Sequence, residues 1–221
     1  MGEVNWRRLG GDGLEFFGRM TAGVTHELKN HLSTIKEQTG LISDLLALAA
    51  RGRPLNGERL ERLAEGIIRR VAQTDEVIRR LNYFAHGTDA GRQTADLGEI
   101  VWNIVTLSRR LASMKGVELE AAPVAAPVSV EGHPFFLGQM VFLCLERALV
   151  AAGSGGRVEV SVVEGEAWVE CLFTGRLAGP ITPESLEATV GPALKAWLGA
   201  SLIGEPSGGL RLRLPRISPD L

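Results

Sequence analysis

His26, followed at once by Glu27 and one helical turn later by Asn30, is the group of residues best able to do chemistry. A neutral imidazole nitrogen is a nucleophile toward phosphorus. With an ordinary pKa of about 6.5 it is mostly unprotonated at neutral pH. The product, a phosphoramidate, is energy-rich enough to pass its phosphoryl group on to a carboxylate. Glu27 can orient the imidazole or take its proton. Asn30, at i+4, shares a helix face with His26 and can position a water or a phosphoryl oxygen. Gly23, at i−3, leaves room for an incoming domain.

The element that must present these residues is a helix. Apolar residues at 17, 20, 24, 28, 32, 35, 42, 45 and 49 follow the three-four alternation of an amphipathic helix over 14–50. His26 lies two residues from both Val24 and Leu28, about 200° from each, on the side away from the stripe. That side carries Ala22, Gly23, Lys29, Asn30 and Ser33, so the imidazole is expected in solvent, where another protein can meet it. His26, Glu27 and His31 also suggest zinc, but the metalloprotease pattern needs histidines at i and i+4. The spacing here is five, about 140° around the helix, and no metal site is expected.

The 221 residues suit one or two domains, with 45% hydrophobic content to build a core. A formal net charge of −2 provides no basic field to recruit nucleic acid or anionic lipid. Cys144 and Cys171 sit in apolar segments without metal or redox spacing and read as reduced core residues. The most apolar long stretch, 134–152, is interrupted by Gln139, Glu146 and Arg147, and the first residues have no signal-peptide core. The expectation is a cytoplasmic protein with no membrane segment.

A turn over Arg51–Gly57 separates the first helix from a second stripe: Leu60, Leu63, Ile67, Val71, Thr74, Ile78, Leu81 and Phe84. Two such helices cannot cover each other's stripes, which favours a homodimer built as a four-helix bundle over a monomeric hairpin packed on the second half. The Arg pairs at 69–70, 79–80 and 109–110 read as solvated faces, helped by Glu65–Arg69 and Glu76–Arg80 at i,i+4. The second half reads as an α+β sandwich. Asp96 and Glu99 suggest a capping box for a helix to about 114. Strands over 117–121 and 128–131, an apolar helix over 134–152 and a hairpin over 157–163 and 167–173 follow, all on one sheet. A helix over about 183–203 and a strand over 209–215 complete it. The expected domains are a leader (1–13), a helical hairpin (14–87), a linker (88–95) and the sandwich (96–221).

His26-Glu-Leu-Lys-Asn30, preceded by Phe17-Gly-Arg-Met-Thr-Ala-Gly-Val-Thr25, resembles the H-box of two-component histidine kinases and of bundle-type histidine phosphotransfer proteins. The resemblance covers roughly residues 14–90. It implies that His26 is the phosphoacceptor, Glu27 the acidic helper and Asn30 the dephosphorylation residue. It implies a response-regulator receiver domain as partner. One departure is His31, where many of these kinases have a helix-kinking proline.

The second half resembles the family's ATP-binding domain in its order of elements. Gln139–Ala152 is similar to the helix whose asparagines hold magnesium and phosphates, yet Leu143 and Arg147 occupy those slots. No nucleotide-binding aspartate precedes Ile181-Thr-Pro-Glu184, and Leu194-Lys-Ala-Trp197 stands where the resemblance implies a glycine-rich loop. Three such absences argue against ATP and magnesium as cofactors. The leading expectation is a histidine phosphotransferase with a degenerate ATPase-like domain. An active kinase, a non-catalytic scaffold and a phosphatase-biased regulator stay open beside it.

Overall fold

Two helices form the first half, α1 (Trp6–Ala50) and α2 (Gly57–His86). The computed structural model describes residues 6–181, 191–205 and 208–216. Asn56 starts α2 by accepting the Arg59 backbone N–H at 2.9 Å, which satisfies one donor orphaned at a helix start. Contacts of Phe16 with Phe84, His31 with Thr74 and Gln38 with Gly66 run in opposite directions along the two helices. The pair is an antiparallel hairpin. The Gln38 amide reaches over Gly66, where a Cβ would meet its nitrogen at 2.6 Å and push the flexible Gln38 side chain aside.

The helix start differs from expectation. Trp6–Gly13, read as leader from sequence, is the first part of α1. Gly10, Gly11 and Gly13 each cost a helix about 1 kcal/mol, which masked it. Burial of Leu9, one heptad before Phe16, offsets that cost, and a bare Gly13 lets α1 pass close to the Phe135 ring.

The second half runs β1 (Gln93–Asp96), α3 (Leu97–Met114), β2 (Glu118–Ala121), β3 (Ser129–Gly132) and α4 (Pro134–Ala152). It continues with β4 (Arg157–Glu164), β5 (Trp168–Arg176), α5 (Pro192–Leu198), β6 (Ser201–Gly204) and β7 (Leu210–Pro215). The main sheet has the order β2-β4-β5-β7-β6, antiparallel except for the parallel β2–β4 pair. Strands β4, β5 and β7 alternate buried and partly exposed residues, the period-two pattern of a sheet with one covered face. Val158, Val160, Cys171, Phe173, Leu212 and Leu214 point into the core. On the other face Glu170 joins Arg211 at 2.9 Å and Arg213 at 2.6 Å.

Two expectations are corrected here. The strands do not share one sheet: β3 pairs with β1 in a separate two-stranded ribbon. Asp96 causes this. Its carboxylate accepts both the Gly98 N–H, as the cap of α3, and the Val128 N–H, which ties the approach to β3 to the start of α3. The helix expected to reach residue 203 stops earlier. Residues 182–190 lie outside the described part, α5 ends at Leu198, and Gly199 caps it with φ +61°. Ser201–Gly204 then pairs antiparallel with β7 as an edge strand.

Helix α4 is long and apolar enough to cross a membrane by length and composition, and most of it is buried. Leu137, Met140, Cys144, Leu145 and Ala148 lie in a core shared with α3 and the sheet. The hairpin docks on this same helix. Phe16 packs its ring 5.3 Å from Phe84, 5.3 Å from Phe135 and 5.1 Å from Phe142, centroid to centroid. Arg19 grips the Glu146 carboxylate with both terminal nitrogens and lies over the Phe142 ring at 5.1 Å. Arg80 of α2, far from being a solvated surface cation, is half-buried and bridges Glu76 at 2.7 Å to Glu99 of α3. Glu99 therefore joins two helices and does not complete a capping box.

Candidate functional site

His26 is exposed on α1, and among the described residues it makes no hydrogen bond, ion pair or ring contact. Asn30 is exposed one turn on, with Ala22, Lys29 and Ser33 on the same side. A Cβ on Gly23 would meet nothing within 4 Å, so the space beside His26 is open. Between Gly23, Arg19 and the α3 residues Leu107 and Leu111 lies a cavity of about 100 Å³. The structure thus brings His26 and Asn30 together on one accessible face.

Glu27 stands differently. It is half-buried, with Oε1 4.0 Å from His31 Nε2 and Oε2 fully buried without a hydrogen-bond partner. Its carboxylate is turned into the seam between α1 and α2. His31 is buried there, with Nδ1 3.1 Å from Thr74 Oγ1 of α2. Burial holds the His31 imidazole below its ordinary value of 6.5, the Arg70 cation adds to the effect, and Glu27 opposes it. Helix α1 runs unbroken through this residue. His31 and His26 therefore occupy different sides of α1, one in the seam and one in solvent. Thr74 was legible only as one hydroxyl in an otherwise apolar stripe.

The segments that the resemblance aligns with a nucleotide site carry other side chains. Leu143 is a half-buried hydrocarbon, and Arg147 has its Nε buried without a hydrogen-bond partner. Neither offers a magnesium ion an oxygen ligand. Where the glycine-rich loop was implied, α5 buries Leu194 and Leu198, and Trp197 packs edge-on 4.9 Å from Phe136. Thr182, Pro183 and Glu184 lie outside the described residues. Cys144 and Cys171 are fully buried, and burial pushes both thiols far up, so they stay protonated and unreactive.

No family model matches the chain. The sensor histidine kinase ZraS of Escherichia coli O157:H7 is 26% identical over 175 residues, 79% of this chain and 36% of that protein. ZraS of Klebsiella oxytoca is 27% identical over 176 residues, again 79% of this chain and 36% of the relative. Over most of its length the chain is thus similar in sequence to sensor histidine kinases. It spans about 36% of the length of the curated relatives it matches. A crystal structure of a histidine kinase from Burkholderia phymatum STM815 superposes with a TM-score of 0.50 at 13% identity. The match takes in 92% of this chain and 99% of that one, a likeness of fold. The helices followed by a sheet domain have the fold of that histidine kinase structure, and His26 falls on the first long helix.

Proposed function

We propose that this histidine kinase relative is a cytoplasmic, homodimeric histidine phosphotransferase that exchanges a phosphoryl group between His26 and receiver-domain aspartates of response regulators. The exposed, unpartnered imidazole of His26 carries this reading. In the exchange, a neutral ring nitrogen of His26 attacks the phosphorus of an aspartyl phosphate. The N–P bond forms, the P–O bond breaks, and the aspartate leaves as carboxylate with the bonding electron pair. The proton on the other ring nitrogen passes to Glu27 or to water. The reverse sequence returns the group. Asn30, on the same exposed face, orients a phosphoryl oxygen or the water that drains it. The side chains of Leu143 and Arg147 support a donor other than ATP bound on this chain.

The source of the phosphoryl group is the test. The purified protein is incubated with labelled ATP alone, and separately with a labelled phospho-receiver domain. Label is expected on His26 only from the receiver. Label taken from ATP alone sinks this reading in favour of a kinase, and label from neither source favours a scaffold.

The dimer rests on apolar side chains the single chain leaves uncovered. The upstream part of the α1 stripe, Leu9 to Val24, is buried within the chain. Downstream, Leu32, Leu41 and Leu46 of α1 and Ile68, Val71 and Ile78 of α2 are exposed, Ile68 at 68%. A second hairpin covers such faces in a four-helix bundle. The double substitution Leu32→Lys, Ile68→Lys should weaken self-association by about 100-fold, because two charges would enter an apolar interface. Sedimentation velocity over a concentration series reads this directly. An unchanged dimer would place the interface elsewhere.

A further inference from the structure

The seam behind His26 holds a proton arrangement that bears on Glu27. Thr74 has one hydroxyl proton, and its Oγ1 donates it to the Arg70 carbonyl at 2.7 Å. The 3.1 Å contact with His31 must then run the other way: Nδ1–H of His31 donates to the Thr74 oxygen. A neutral imidazole has one N–H, so Nε2 carries the lone pair. That lone pair faces Glu27 Oε1 at 4.0 Å, acceptor against acceptor, with no proton between them. Glu27 is therefore inside the seam without being bonded there, and its Oε2 has no partner either.

We infer that His31 and Thr74 are positioning residues that govern whether the Glu27 carboxylate is available to His26. Thr74 locks His31 in the Nδ1–H form, which leaves Glu27 unbonded and free to turn toward the neighbouring imidazole. A proton on Nε2, gained by protonation or by a change of tautomer, would donate to Glu27 and hold it in the seam. The charged groups facing His31 are Glu27 on α1 and Arg70 on α2, the two helices that enclose it. Burial and Arg70 keep the ring neutral at pH 7, so the available state is the resting one, and the held state is reached on acidification below 6.5. The inference rests on the phosphotransfer reading of His26 and deepens it.

Nitrogen NMR of the full chain labelled with ¹⁵N reads the His31 tautomer without any phosphoryl donor. The expected result at pH 7.5 is Nδ1–H in the wild type, Nε2–H in Thr74→Val, and Nδ1–H restored in Thr74→Ser. An Nε2–H ring in the wild type, or a tautomer indifferent to Thr74→Val, overturns the inference. The rate of label transfer from a phospho-receiver is then compared between wild type and His31→Asn from pH 7.5 to 5.5. Asparagine keeps a donor for Thr74 but has no Nε2. The ratio of the two rates should fall by about tenfold over the range in which the ¹⁵N signals show His31 taking up its proton. A constant ratio overturns the inference. If no label reaches His26 in any variant, the phosphotransfer reading fails by itself. The ¹³C shift of the Glu27 carboxyl then decides the inference: it must follow the His31 titration, and a silent Glu27 overturns it.

Discussion

His26→Gln should abolish acceptance of a phosphoryl group from a phospho-receiver, a loss of at least about 10³-fold, while leaving the fold untouched. The two halves of that expectation have separate causes. The nucleophile is removed entirely, since an amide nitrogen has no free lone pair to offer phosphorus. The stability change should stay within about 0.5 kcal/mol, because His26 is exposed and bonds to no described residue. Label transfer and a thermal melt on the same preparation check both. Two outcomes would count against His26: residual label, or a melting point that falls with the activity. Label found instead on His86, the exposed last residue of α2, would move the acceptor to the far end of the hairpin. Asn30→Ala separates the two steps on this face. It should retain label longer than the wild type if Asn30 orients the draining water.

How far such roles can be read from sequence depends on what sets each one. The exposure of His26 followed from local periodicity, since the angle between it and the Val24–Leu28 stripe is fixed by helix geometry. The strands β4, β5 and β7 were legible for the same reason: alternation at period two survives any tertiary arrangement. Glu27 was not legible in this way. Periodicity places its Cα beside the seam, but the direction of its carboxylate depends on a histidine one turn later and a threonine 43 residues beyond that histidine. The β1–β3 ribbon was missed because one carboxylate, Asp96, serves a helix start and a distant strand at once. The first turns of α1 were missed because three glycines speak against a helix locally, and only burial of Leu9 speaks for it. Long-range partners decided every one of these cases.

The second large effect is expected at the joint between the halves. Phe16→Ala should cost about 3–5 kcal/mol, since Phe16 is 3% exposed and touches Phe84, Phe135 and Phe142 from two other helices. In a chain of this length that corresponds to a melting point lower by roughly 10 °C. The neighbouring ion pair is the weaker part of the joint despite its bidentate form. The Arg19 side chain is 42% exposed, so solvent and salt screen it, and Glu146→Gln should cost about 1 kcal/mol or less. High salt distinguishes the two contributions: it should lower the stability of the wild type slightly and leave the Phe16→Ala deficit unchanged. If apolar packing is what couples the hairpin to the sheet domain, Phe16→Ala should also split one cooperative calorimetric transition into two. A single transition displaced by less than 1 kcal/mol would mean that other contacts, such as the Arg80 bridge from α2 to α3, hold the halves together. His26 lies ten residues along α1 from Phe16, roughly 15 Å away. The same joint therefore fixes how close the sheet domain stands to the phosphoacceptor, and loosening it should alter the rate at which a receiver reaches His26 without altering the imidazole itself.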